Sequence, residues 1–155
     1  NPIIFIAATW LWIGGVIVLS VFLRRARGRP IFAPQLKDAP FIERRASGRS
    51  LRNLITRLGG AKNVLFVAVT ADRVIVQPHF PFSLMFMPEI YGLDCEISRS
   101  RLRKVSIQEG LLGRKKVLVE FSTPSNGEEE MELRLQNHEL FLKAIGEMKA
   151  GGARR

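Results

Sequence analysis

The chain opens on an uncharged run, Ile3 to Leu23, reading IIFIAATWLWIGGVIVLSVFL. At 1.5 Å per residue a helix of this length covers roughly 30 Å, the thickness of a hydrocarbon core, so the pattern predicts one membrane-spanning helix over residues 1–23. The next stretch has no period. Pro30, Pro34 and Pro40 stand among basic residues and isolated apolar ones (Ile31, Phe32, Leu36, Phe41, Ile42). Prolines block a continuous helix and favour an extended course, so residues 24–50 are expected to form a linker. It is either a solvated tether or a strap docked through its Phe and Ile residues.

From Leu51 onward the apolar positions fall into short β runs. Leu51 to Leu58 alternates weakly and is a candidate first strand. Asn63 to Thr70 is apolar on both faces, as a central strand would be. A tight turn at Ala71-Asp72 leads into Arg73 to Gln77 and completes a hairpin. Leu93–Ser98 and Leu102–Gln108 are expected to pair around Arg99-Ser100-Arg101. Arg114–Phe121 places Val117, Val119 and Phe121 inward. After the turn Pro124–Gly127 comes Glu129–Gln136, where Met131, Leu133 and Leu135 alternate with charged residues. Basic and acidic residues of these last two strands are expected to face one another. The final segment has helical spacing. Asn137 is the expected N-cap, Glu139 lies in the first turn, and Leu140, Phe141, Ala144, Ile145 and Met148 form one apolar stripe. Gly151 and Gly152 end it. Residues 51–150 therefore read as one α+β, mostly β domain, and 151–155 as a basic tail.

The hairpin VLFVAVTADRVIVQ, the pair LDCEISRSRLRKVSIQ, and VLVEF followed by MELRLQNHELFLKAI resemble the pleckstrin-homology-like domains of the bacterial PH and GRAM type. Ile97, Leu102, Val105 and Phe141 occupy the pattern's apolar places. The resemblance covers residues 50–149 and rests on pattern, without an invariant motif. It implies a half-open, seven-stranded barrel capped by the C-terminal helix, used for binding and not for chemistry.

Charge adds an orientation. Lys and Arg number 24 against 14 Asp and Glu. Between Arg24 and Arg57 ten basic residues face two acidic ones, and Arg24, Arg25, Arg27 and Arg29 follow the apolar run at once. Positive flanks stay inside, which predicts the N-terminus outside and the domain in the cytoplasm beneath a bacterial inner membrane. A secretory signal would carry its charge before the apolar run, so the segment reads as an anchor. These arginines, with a second cluster at Arg99, Arg101 and Arg103, are the candidate contacts to anionic lipid headgroups, worth roughly 1 kcal/mol each when close to the surface. The alternative for the second cluster is a plain solvated face. The resemblance implies that a phosphoinositide site would lie between the first two strands, where Arg52, Arg57 and Lys62 make a thin set. Nucleic acid is not expected, because no aromatic platform is interleaved with the charge. Cys95 is the single cysteine and reads as a buried thiol, which fits a reducing compartment.

Candidate chemistry is otherwise sparse. His79 and His138 lack ligand-spaced partners, no phosphate-loop or nucleophile motif is present, and Gly59-Gly60 reads as a plain loop, so neither an enzyme, a cofactor nor a metal is expected. The least ordinary stretch is PHFPFSLMFMPEIYG (residues 78–92). Its Phe80, Phe82, Met85, Phe86 and Tyr91 must be buried somewhere, on the barrel, in the bilayer interface or against a partner. In the membrane run, Trp10 and Trp12 sit deeper than an interfacial belt, and Gly14 beside Gly15 permits close helix approach without a GxxxG motif. Two functions are expected from these features. One is a membrane-anchored accessory or scaffold subunit of a respiratory, photosynthetic or transport complex. The alternative is a stand-alone membrane-surface module that binds anionic lipid or recruits a soluble partner.

Overall fold

The uncharged run forms helix α1, Pro2–Ala26, which continues past the apolar stretch to take in Arg24 and Arg25. An 18-residue window of mean hydropathy 2.3 within its 25 residues makes it long and apolar enough to cross a membrane. The computed structural model describes residues 2–26, 28, 36, 38–85, 91–110, 113–124 and 127–151.

The sheet begins earlier than expected. Strand β1, Phe41–Ser50, lies inside the stretch read as linker, and it is central: β2 (Ala61–Val69) pairs on one side and β7 (Glu128–Arg134) on the other. Its sequence hides it for two reasons. Register shifts between Glu43 and Ala46, and again before Gly48, reset the alternation. Its buried positions also hold Glu43, Ala46, Gly48 and Ser50 where large apolar residues would mark a strand. Gly48 is required there, since a Cβ would stand 2.8 Å from the Leu133 side chain and 2.9 Å from the Glu132 carbonyl.

Leu51–Leu58, expected as a strand, contains the short helix α2, Leu54–Leu58. A reciprocal cap starts it: Thr56 N–H donates to Asn53 Oδ1 at 2.9 Å, and Asn53 N–H donates to Thr56 Oγ1 at 3.1 Å. The hairpin of β2 and β3 (Arg73–Pro78) forms as read, closed by Thr70 N–H to Arg73 O at 2.9 Å. In its turn the Thr70 hydroxyl, followed by Arg73, holds the Asp72 carboxyl below its ordinary value.

Helix α3 (Phe82–Met85) follows β3, and then come β4 (Cys95–Ser98), β5 (Leu102–Glu109) and β6 (Lys115–Ser122). The expected pairing of β4 with β5 does not occur. The sheet order is β4-β3-β2-β1-β7-β6-β5, so these two strands are opposite edges of a half-open barrel. The chain turns a corner between them. Arg99 N–H donates back to Asp72 O at 2.8 Å, while Ser122 N–H donates to Arg101 O at 2.9 Å, which delivers β5 to β6.

The acidic residues of β7 meet one expected cation of β6, Lys116 at Glu132, and find their other partners elsewhere. Glu130 faces Glu120 and Glu132 faces Leu118 across the β6–β7 register. The compensating cations come from β1 and from a diagonal neighbour: Arg49 stands 2.8 Å and Lys116 3.3 Å from Glu132, and Arg52 of the following loop is 3.4 Å from Glu129.

Helix α4, His138–Ala150, closes the barrel with Phe141, Ala144, Ile145 and Met148, while Leu140 of the predicted stripe is exposed. Asn137 makes no side-chain cap. Glu43 serves instead, accepting the N–H groups of Gln136 at 3.0 Å and Asn137 at 3.3 Å from across the sheet. Phe141 meets Phe41 edge to face at 5.3 Å, and side chains from all seven strands join α4 in one core. Curling a single sheet around one helix in this way gives the architecture that the pleckstrin-homology resemblance implies.

Candidate functional site

Strand register separates the domain into two ends. β2 starts where β3 finishes, with Leu65 opposite Pro78, and β4 starts there too, with Cys95 opposite Val76. Helix α2, the Gly59-Gly60 loop, α3 and residues 91–94 therefore gather at one end. The turns at Ala71-Asp72 and at Arg99-Arg101 mark the other, a strand length away.

The first end holds the apolar helix. α3 packs on both α1 and β3. Arg24, in the last turn of α1, reaches Asp94 with 2.9 Å between Nη2 and Oδ2, and these side chains are only 2% and 1% exposed. Its Nη1 also donates to the Ser83 carbonyl of α3 at 3.5 Å. Ser20, one turn earlier, is buried as well. Two charges taken out of water at this distance attract strongly, and loss of either side chain removes a buried ion pair.

Beside this junction lies an apolar cleft of about 480 Å³, lined by residues 59–62, Val64, Pro78, Phe82, Tyr91 and Leu93. It shares the wall of residues 59–62 with a smaller basic cleft of about 210 Å³ that carries Arg49, Arg57 and Arg134 around Glu132. Burial alone would raise the Glu132 carboxyl. Hydrogen bonds and charge from Arg49 and Lys116 outweigh it and hold the group below its ordinary value. Both clefts open at the end that meets α1.

The distal end has a wider cavity of about 620 Å³, lined by Asp38, Thr70, Asp72, Ser98, Arg99, Glu147 and Met148 among others. Its cations mostly fasten the helix. Arg99 Nη1 donates to Met148 O at 3.5 Å, where the α4 dipole favours positive charge, and Lys149 Nζ donates to Arg103 O at 3.4 Å. Arg103 Nε donates to Ser122 Oγ at 3.0 Å.

The predicted site residues divide accordingly. Arg24, expected on lipid headgroups, is instead buried against Asp94, and its neighbour Arg25 is exposed. Arg99, Arg101 and Arg103 are exposed but lie at the end away from α1. Trp10 and Trp12 stand free on α1, and a Cβ on Gly14 would meet nothing within 4 Å. Phe82 and Tyr91 line the apolar cleft, and Phe80 is 43% exposed. Phe86, Arg27, Arg29 and the Met85 side chain lie outside the described part of the chain. Among the described residues no three His, Cys, Asp or Glu converge as a metal site needs. Sequence reasoning missed Asp94, which no local signal sets apart from Glu96 in the same strand entry, and it passed over the Gly59-Gly60 loop that walls both clefts.

No family model and no curated protein sequence matches the chain. Among solved structures, the Vps36 N-terminal PH domain is similar at 16% identity and a TM-score of 0.47, over 81% of this chain and 86% of that one.

Proposed function

We propose that the chain is a non-enzymatic, single-pass membrane-anchored accessory subunit that packs on and stabilises a larger membrane protein complex of respiratory, photosynthetic or transport type. The observation that carries this reading is the buried Arg24–Asp94 pair. A flexible tether would let the domain turn freely beneath the bilayer. A helix end fastened inside the domain fixes one orientation, so helix and domain offer a partner a single continuous surface. The open Gly14 and Gly15 positions and the uncovered Trp10 and Trp12 supply the part of that surface within the bilayer. Burial of Arg24 in the folded domain supports a retained anchor over a cleaved leader, and the arginines after α1 support a cytoplasmic domain at the inner membrane.

The test is mild-detergent extraction of native membranes with a tag on the C-terminus, followed by sizing and mass spectrometry. A stoichiometric large assembly is expected. A monomer running alone would sink the reading in favour of a stand-alone module for anionic lipid or a soluble partner. The basic cleft of Arg49, Arg57 and Lys62 at the anchored end favours that second reading.

A further inference from the structure

We propose that the apolar cleft beside the anchor holds an acyl chain of an anionic phospholipid drawn from the surrounding bilayer, with Lys62 meeting its phosphate. The inference requires α1 to lie in a membrane and is independent of any partner complex.

The cleft's volume of about 480 Å³ falls within the range of small-molecule sites. Its described lining is apolar through Val64, Pro78, Phe82, Tyr91 and Leu93, with Lys62 as the cation and no carboxylate among these residues. Position selects the occupant. Phe82 directly precedes Ser83 and Leu93 directly precedes Asp94, the two residues that hold Arg24 at the end of α1. The cleft therefore opens where the membrane helix leaves the bilayer, and a lipid chain of that leaflet is the nearest apolar solute.

Its surroundings fit the same level. Leu58 precedes Gly59 of the cleft wall and is 85% exposed, and Leu54, one turn back on the same face of α2, is 75% exposed. Side chains this apolar gain nothing in water but insert readily at the headgroup and acyl boundary. Arg57, beside Leu58, lines the adjoining basic cleft, so positive charge stands where a phosphate would lie. Glu132 balances only part of the charge of Arg49, Arg57, Lys62 and Arg134 there, which favours an anionic lipid over a neutral one.

The test uses the full chain in nanodiscs of phosphatidylcholine and phosphatidylglycerol, in which the phosphatidylglycerol carries a photoreactive diazirine near the end of one acyl chain. After illumination, adducts are mapped by peptide mass spectrometry. Adducts on Val64, Phe82 or Tyr91 are expected in addition to those on α1. Val64→Trp fills the cleft. Excluding two methylenes corresponds to roughly a tenfold loss of cleft adducts, with α1 adducts unchanged. Should Val64→Trp fail to fold by circular dichroism, Val64→Phe makes the same test with a smaller side chain. Lys62→Glu is expected to lower cleft labelling by the phosphatidylglycerol probe but not by a phosphatidylcholine probe of the same design. Adducts confined to α1 in the wild-type chain, or wild-type yield in a folded filled variant, would overturn the proposal. Equal labelling by both probes in the wild-type chain would overturn the assignment of Lys62.

Discussion

The two ends of the sheet use arginine in opposite ways. At the end beside α1, Arg24 is withdrawn from solvent and pairs with Asp94, so it fastens the helix that already packs on α3 to the rest of the domain. At the distal end Arg99 and Arg103 stay exposed and donate to a helix carbonyl and a hydroxyl already inside the domain. The difference teaches that a basic cluster cannot be read by its charge alone. Arg24 looks like every other arginine after the apolar run, yet its position opposite Asp94 makes it structural. Arg99 to Arg103 look like a headgroup patch, yet they lie a strand length from the helix that would bring them to a membrane.

The comparison breaks most directly at Asp94. Asp94→Ala leaves Arg24 buried without its carboxylate, and the expected cost is about 3–5 kcal/mol. It would be read as a lowered melting temperature in detergent and as faster hydrogen exchange in α3. Replacing both partners, Arg24→Met with Asp94→Leu, is expected to recover most of that stability, because two apolar side chains demand no desolvation. Wild-type melting of the Asp94→Ala chain would show that the pair holds nothing.

A smaller loss is expected at Glu43, which joins neither end to the membrane but ties β1 to the entry of α4. Glu43→Ala leaves two backbone N–H groups without their acceptor, at about 1–3 kcal/mol by chemical denaturation. If Asn137 were the true cap, Asn137→Ala would cost more than Glu43→Ala, and the reverse order is expected.

Acid offers a third probe. The Glu132 carboxyl is held below its ordinary value of 4.5 in the folded chain, against burial, by Arg49 and Lys116. A depressed carboxyl contributes stability in full above the unfolded value, and the contribution is lost as pH falls below 4.5 and through the folded value. The melting temperature is therefore expected to drop in that window, and Glu132→Gln, already lacking the contribution at neutral pH, to drop less. Parallel acid curves for the two chains would remove Glu132 from the account.

Much of this architecture could be read from alternation, because where inward positions carry large apolar side chains the period of two survives. Val117, Val119 and Phe121 of β6, and Met131 and Leu133 of β7, fall in the core as their spacing indicates. β1 could not be read, because after Phe41 its inward side chains are small or acidic and its bulges break the period. Adjacency in sequence suggests that β4 and β5 pair with each other, but it carries no information about a corner made by Asp72 and Ser122. The site was less legible than the fold. Arg24 and Asp94 are 70 positions apart, and no local pattern marks a pair that exists only once α1 has met α3.

The smallest effect is expected at the distal end, and it sharpens the comparison most. Arg101→Glu alters an exposed turn, where substitutions stay within about 0.5 kcal/mol. Arg99→Ala removes one donor from the α4 C-terminus and is expected to cost about 0.3–1 kcal/mol by the loss of a cation near the dipole's negative end. Neither change touches the junction with α1. Reversing Arg99, Arg101 and Arg103 together is therefore expected to leave membrane retention and co-migration with the native assembly as they are, with only a modest fall in melting temperature. Retention is read by fractionation of cells expressing the tagged chain, and assembly by the size of the detergent extract. Loss of the assembly in a variant that still melts as one folded domain would move the functional surface to the cavity between Arg99 and Glu147. The anchored end would then be the part that serves only to hold the domain in place.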